Sequence, residues 1–142
     1  MRRYPRQYWY LILGMLFSTT GMGMIWPFLT IYMRETLNVP LTTITSLLML
    51  DSIMAIVATF IAGPVADRFG RKWVMVISLA MMGVVYLSMS AAASLGVFAV
   101  LMALRGAFVP LYRIGADAMV ADMISEEERV DAYAISRTVN NV

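Results

Sequence analysis

Residues 63–72 read Gly63-Pro64-Val65-Ala66-Asp67-Arg68-Phe69-Gly70-Arg71-Lys72, a charged hinge set between two long apolar runs. On one side residues 41–66, and on the other residues 73–93, are each long enough to cross a bilayer. About 30 Å of hydrocarbon takes roughly 20 helical residues. Working outward, residues 8–33 and 95–121 satisfy the same criterion, and a fifth helix is expected from about residue 130. With no water in the hydrocarbon, every backbone amide needs a partner inside its own segment, so the runs read as helices and not as isolated strands. The expected fold class is an all-α integral membrane protein.

The composition points the same way. Hydrophobic residues make up 61% of the 142 residues and charged residues 14%, far from the balance of an ordinary soluble domain. A water-soluble fold of this size cannot hide that much apolar surface. Net charge is only +2, and the basic residues form short clusters without interleaved aromatics, which argues against nucleic acid as a partner. The chain has no Cys and no His, which removes disulfides, thiolate chemistry, most zinc sites and imidazole acid–base work. Protonation chemistry falls to carboxylates, and no cofactor or metal is expected. No nucleophile sits beside a base and no phosphate-cradling loop is present, so neither an enzyme nor direct ATP use is expected.

Basic residues in short loops mark the cytoplasmic face. Arg2, Arg3 and Arg6 precede the first span, Arg68, Arg71 and Lys72 lie between the second and third, and Arg129 follows the fourth. The opposite loops carry Arg34 offset by Glu35, and an uncharged turn at Ser94. A multi-pass protein of the cell membrane with a cytoplasmic N-terminus is expected, its first apolar run being a retained span.

Within the hinge, Gly63 is expected to leave room for a neighbouring helix and Gly70 to support a tight turn. Asp67 falls near the C-terminus of its own helix, where the macrodipole disfavours an anion, so it requires a compensating Arg or another helix N-terminus. Small residues at Gly14, Gly21, Gly23 and at Ala58, Ala62, Ala66 offer faces for close helix packing. Ser125 followed by Glu128 reads as a capping box opening the fifth helix. The 14 Met residues suit lipid-facing filler or a deformable pocket.

Charges inside the spans carry the functional signal, because at membrane depth they normally face the bundle interior or water and pair. Arg105, Arg113 and Asp117 interrupt the fourth span and fall within roughly 120° of one another at about 100° per residue. They can face one cavity, while Asp122 points elsewhere. Arg113 and Asp117 can also neutralise each other one turn apart. Asp51 sits near the middle of the second span with no charge nearby in sequence. It is either protonated or paired with Arg105 or Arg113, and either state suits a proton or cation site.

The hinge string matches the signature G-x-x-x-D-R-x-G-R-K/R at every defined position, and on it the chain resembles the major facilitator superfamily. That resemblance implies a carrier of two helical halves with alternating access about a midplane site, driven by an ion gradient. It assigns Gly63, Asp67, Arg68, Gly70, Arg71, Lys72 and Asp122 to a cytoplasmic gate. Asp51, Arg105, Arg113 and Asp117 are placed on a substrate or proton path. Arg105 resembles the membrane-embedded Arg of the fourth-helix motif in drug:proton antiporters, although that motif has a Gly where this chain has Val109, its own Gly being Gly106. The expected function is an exporter of hydrophobic or drug-like compounds, with a proton as coupling ion, a small molecule as substrate and the bilayer as surroundings. The chain is expected to be a fragment whose C-terminal helices are missing. A small four-helix homodimeric exporter, or a non-transporting membrane protein from a truncated reading frame, are the alternatives.

Overall fold

The computed structural model describes residues 4–141, so the topology signals Arg2 and Arg3 lie outside the described residues. The elements are α1 (Arg6–Leu37), α2 (Leu41–Phe69), α3 (Arg71–Ala91), α4 (Leu95–Met123), a single 3-10 turn (Glu126–Glu128) and α5 (Arg129–Asn140). Four of them, α1 to α4, are long and apolar enough to cross a membrane. There is no strand among the described residues. The fold class is all-α and multi-pass, with the start of a fifth helix.

Helices α1 and α2 continue beyond the apolar runs, through Arg34 and Asp67, because each further residue of a formed helix adds a hydrogen bond. Pro27, Pro64 and Pro110 are accommodated inside helices. The α3 helix stops at Ala91, where Ala92 turns extended at φ −79° and ψ 120°.

The chain divides into two compact units. One comprises α1 up to Leu29 with the chain from Ala116 onward. In it the buried Tyr8 hydroxyl donates to the Ala132 carbonyl at 3.0 Å, and the Thr19 hydroxyl donates to the Asn140 side-chain oxygen at 3.3 Å, so α5 is pinned to α1 at two levels. The Tyr133 hydroxyl donates to the Asp117 carbonyl of α4 at 3.1 Å. The expected capping box does not form, since Ser125 makes no side-chain cap bond. Instead the Glu128 amide donates to the Ser125 carbonyl at 3.0 Å, giving the 3-10 turn. Arg129 closes that corner by donating to the Ile124 carbonyl at 3.3 Å.

The other unit spans Thr30–Gly115. Along α2 the buried row is Ile44, Leu47, Asp51, Ala58, Ala62 and Ala66, and along α3 it is Val74, Ser78, Met82, Val85 and Met89. These rows follow the helical spacing of a single inward stripe. Phe60 and Leu87 are exposed on other faces, as an apolar solvent permits. The Tyr32 hydroxyl contacts the carbonyls of Met89 and Ser90 at 3.4 and 3.0 Å, serving the last turn of α3, where carbonyls lack helical donors.

A single residue joins α2 to α3. Gly70 has φ 88° and ψ 126°, its amide donates to the Ala66 carbonyl at 3.0 Å, and its carbonyl accepts from the Val74 amide at 3.1 Å. It therefore ends one helix and starts the next in a conformation that side-chain-bearing residues rarely adopt. Replacing Gly70 by Ala is expected to destabilise the protein by about 1–3 kcal/mol. Thermal unfolding in detergent checks this, and an unchanged midpoint contradicts it.

Candidate functional site

Asp51 occupies the inward stripe of α2, where every neighbour in the row is apolar. A carboxylate there must be paired or neutral. Arg105 of α4 supplies the partner, its Nη1 lying 2.6 Å from Asp51 Oδ1, and the two side chains are only 12% and 11% exposed. The same guanidinium uses a different edge, Nε, to donate to the Tyr86 hydroxyl of α3 at 3.1 Å. Three helices thus meet through one arginine. Among the described residues no buried side-chain nitrogen or oxygen lacks a partner, so the charges are enclosed only in a satisfied state.

Backbone geometry makes this contact possible. A Cβ built on Gly106 would overlap the Asp51 carbonyl oxygen and lie 2.9 Å from its carbonyl carbon. Only a residue with no side chain lets α4 approach α2 this closely, and the approach brings the adjacent Arg105 within reach of Asp51. At the far end of the unit Gly115 performs a similar service for α3, since a Cβ there would lie 3.3 Å from the Arg71 carbonyl and from Met75.

The charges expected on one face of α4 differ in burial. Arg105 is enclosed at the pair, whereas Arg113 and Asp117 are exposed, as is Asp122. Asp51 therefore pairs with Arg105, and Arg113 sits roughly 80° further round the helix. At the hinge, Asp67 Oδ1 lies 3.5 Å from Arg71 Nη2 with 69% and 35% of the side chains exposed. Such exposed pairs are worth about 0–1 kcal/mol. Arg68 stacks over the Phe69 ring at 5.7 Å, and Lys72 is exposed. Gly63, expected to admit a neighbouring helix, has nothing within 4 Å of its would-be Cβ, and the same holds for Gly14, Gly21 and Gly23. Close packing instead falls on Gly106 and Gly115, while Ala58, Ala62 and Ala66 are buried as expected. Among the described residues no group of three or more His, Cys, Asp or Glu is placed to hold a metal ion.

Sequence reasoning missed Tyr86 and Gly106. A tyrosine in an apolar run reads as filler until its hydroxyl is seen to have a partner. The available signal for Gly106 was its place directly beside an intramembrane arginine.

Four helices long and apolar enough to span, a one-glycine joint flanked by charged residues and an ion pair closed among apolar helices define a multi-pass membrane protein with a charged pair in its interior. The family description that matches is the Major Facilitator Superfamily, over residues 11–142, and the chain belongs to that family. Among curated relatives, the chain is 29% identical over 134 residues to the uncharacterized MFS-type transporter YqjV of Bacillus subtilis, covering 94% of this chain and 33% of the relative. It is 32% identical over 136 residues to a Na(+), Li(+), K(+)/H(+) antiporter of Planococcus maritimus, covering 92% of this chain and 32% of the relative. A third, the uncharacterized MFS-type transporter YhjO of Bacillus subtilis, is 28% identical over 125 residues, covering 88% of this chain and 31% of the relative. The chain thus spans about a third of the length of these relatives. No solved structure matches it significantly.

The packing argument predicts a contrast between two glycines. Gly106→Ala is expected to cost about 1–3 kcal/mol by overpacking against the Asp51 backbone, whereas Gly14→Ala is expected to stay within about 0.5 kcal/mol. Unfolding midpoints of the two variants in one detergent check it, and equal midpoints would show that α2 and α4 do not meet at Gly106.

Proposed function

We propose that the chain forms the N-terminal helices of a secondary active transporter that exchanges its substrate for protons by alternating access. The observation that carries this reading is the enclosed Asp51–Arg105 pair, 2.6 Å long. With Asp51 ionised the pair is complete and the helices close about it. When Asp51 takes a proton, Arg105 loses its counter-charge, and the balance between two packings of the helices shifts. A carboxylate that exchanges a proton for a charged competitor in this way couples two gradients.

The substrate read from the sequence is a hydrophobic or drug-like compound, exported. A second reading is export of monovalent metal cations, favoured by the similarity to the Na(+), Li(+), K(+)/H(+) antiporter of Planococcus maritimus. Both use the same carboxylate. The hinge residues Gly63, Asp67, Arg68, Gly70, Arg71 and Lys72, together with Asp122, act as the cytoplasmic gate. The weak, exposed Asp67–Arg71 pair suits an element that opens and closes. Arg113 and Asp117 line the path to the site, the N-terminus is cytoplasmic, the cell membrane is the location, and further helices complete the carrier.

The test uses everted membrane vesicles from cells expressing the complete reading frame, with respiration building an acid interior that acridine orange reports. Addition of ethidium, NaCl, LiCl or KCl is expected to release protons for one substrate class. Asp51→Asn and Arg105→Gln are expected to lower the exchange rate about tenfold or more, equivalent to at least about 1.4 kcal/mol of barrier. Wild-type exchange by Asp51→Asn would remove the pair from the mechanism. Unchanged exchange by both Asp67→Asn and Arg71→Ala would remove the gate assignment.

A further inference from the structure

We propose that Tyr86 is a positioning residue, the second acceptor that holds Arg105 through the part of the cycle in which Asp51 carries no charge. The inference rests on the reading of the Asp51–Arg105 pair as the exchange site.

Arg105 spreads its donors over two helices, with Nη1 on Asp51 of α2 and Nε on the Tyr86 hydroxyl of α3. A guanidinium keeps its proton under all conditions met by proteins. Neutralising Asp51 therefore leaves the arginine charge in place, and an enclosed charge deprived of its partner is among the least tolerated arrangements in a protein. A neutral phenol oxygen answers part of that demand as a hydrogen-bond acceptor. It accepts from Nε, the nitrogen nearest the aliphatic stem, so the arginine stays tied to α3 when its bond to Asp51 weakens.

The backbone closes off the other response. Because Gly106 already rests on the Asp51 backbone, α4 cannot move closer to α2 to compensate a weakened pair. Adjustment falls to the side chains, and the 3.1 Å bond from Nε to Tyr86 is the pivot. The groups brought together here, Asp51 from α2, Tyr86 from α3 and Arg105 from α4, lie in one compact unit, so the switch needs no rearrangement beyond it.

A double-mutant cycle on the purified, complete carrier tests this through unfolding midpoints in detergent. Tyr86→Phe alone is expected to lower the midpoint modestly, because Asp51 still holds Arg105. Combined with Asp51→Asn it is expected to lower the midpoint by more than the sum of the single changes, and in an Arg105→Gln background it is expected to cost nothing further. Failure of the Asp51→Asn, Tyr86→Phe protein to fold, when each single variant folds, is the same more-than-additive result. In everted vesicles, with ethidium or NaCl as the probe, Tyr86→Phe is expected to lower maximal exchange about tenfold at an unchanged half-saturating concentration, since a tenfold rate change reflects one altered step. Additive midpoints, or an equal cost of Tyr86→Phe with and without Arg105, would make Tyr86 a packing residue and overturn the proposal. Full exchange by Asp51→Asn refutes the exchange-site reading instead, so the two failures are read in different assays.

Discussion

An ion pair enclosed by apolar helices sets the terms for the rest of the unit that contains it. Neither Asp51 nor Arg105 can be placed among Leu47, Ala58 and their neighbours alone, because a lone charge in such surroundings costs several kcal/mol. The two must arrive together, which requires the backbones carrying them to come close. That requirement falls on Gly106, whose missing side chain admits the Asp51 carbonyl. Tyr86 then completes the arginine from a third helix. The order of dependence runs from a glycine to a backbone contact, from the contact to the pair, and from the pair to the mutual placement of α2, α3 and α4 within that unit.

The hinge shows the same chemistry under different physics. Asp67 and Arg71 are also a carboxylate and a guanidinium, yet they stand 3.5 Å apart, with Asp67 exposed and Arg71 half-buried. Solvent and entropy reduce such a pair to a marginal contribution, so it does not hold the hinge together. Gly70 does, through its positive φ and two backbone hydrogen bonds. The turn that carries these charges is fixed by geometry that no other residue adopts cheaply. The hinge is thus held by its backbone, whereas the buried pair is held by its charges.

What the sequence reveals follows from which interactions have a period or a unique residue requirement. The spans are legible because hydrocarbon thickness fixes their length, and the Gly70 turn is legible because positive φ selects glycine. The partner of Asp51 was not, since Arg105 and Arg113 stand about 80° apart on one helix and hydropathy does not distinguish them. Two residues decide it: Gly106, which brings α4 onto α2 beside Arg105, and Ala58, which with Ala62 and Ala66 marks the inward stripe on which Asp51 also lies. At Gly63 no neighbouring atom of the described residues lies within 4 Å of a would-be Cβ, because a small residue permits close packing without causing it. Ser125 misled because Arg129, by closing on the Ile124 carbonyl, accompanies a 3-10 start that makes no use of the serine hydroxyl.

The pair also restricts what can act at this site. A 2.6 Å charge-assisted bond between enclosed groups is displaced only by something that offers one of the two charges a comparable partner. A proton does so for Asp51 by removing its charge, and a cation does so by replacing Arg105 at the carboxylate. A neutral apolar molecule offers neither, however well it fits its surroundings, because dispersion contacts do not compensate an unpaired ion. On the exchange-site proposal, binding at Asp51 selects for positive charge ahead of shape. Metal cations and cationic drugs share that property, which is why the two substrate readings converge on the same carboxylate. What separates them is the first coordination demand. A small metal cation needs several oxygen ligands close together, whereas an organic cation needs an apolar or aromatic surface beside a single carboxylate. Within α2, α3 and α4, Arg105 donates to oxygens of Asp51 and Tyr86. On the exchange-site proposal, a metal cation would need more oxygens than these two, whereas an organic cation would need a single carboxylate.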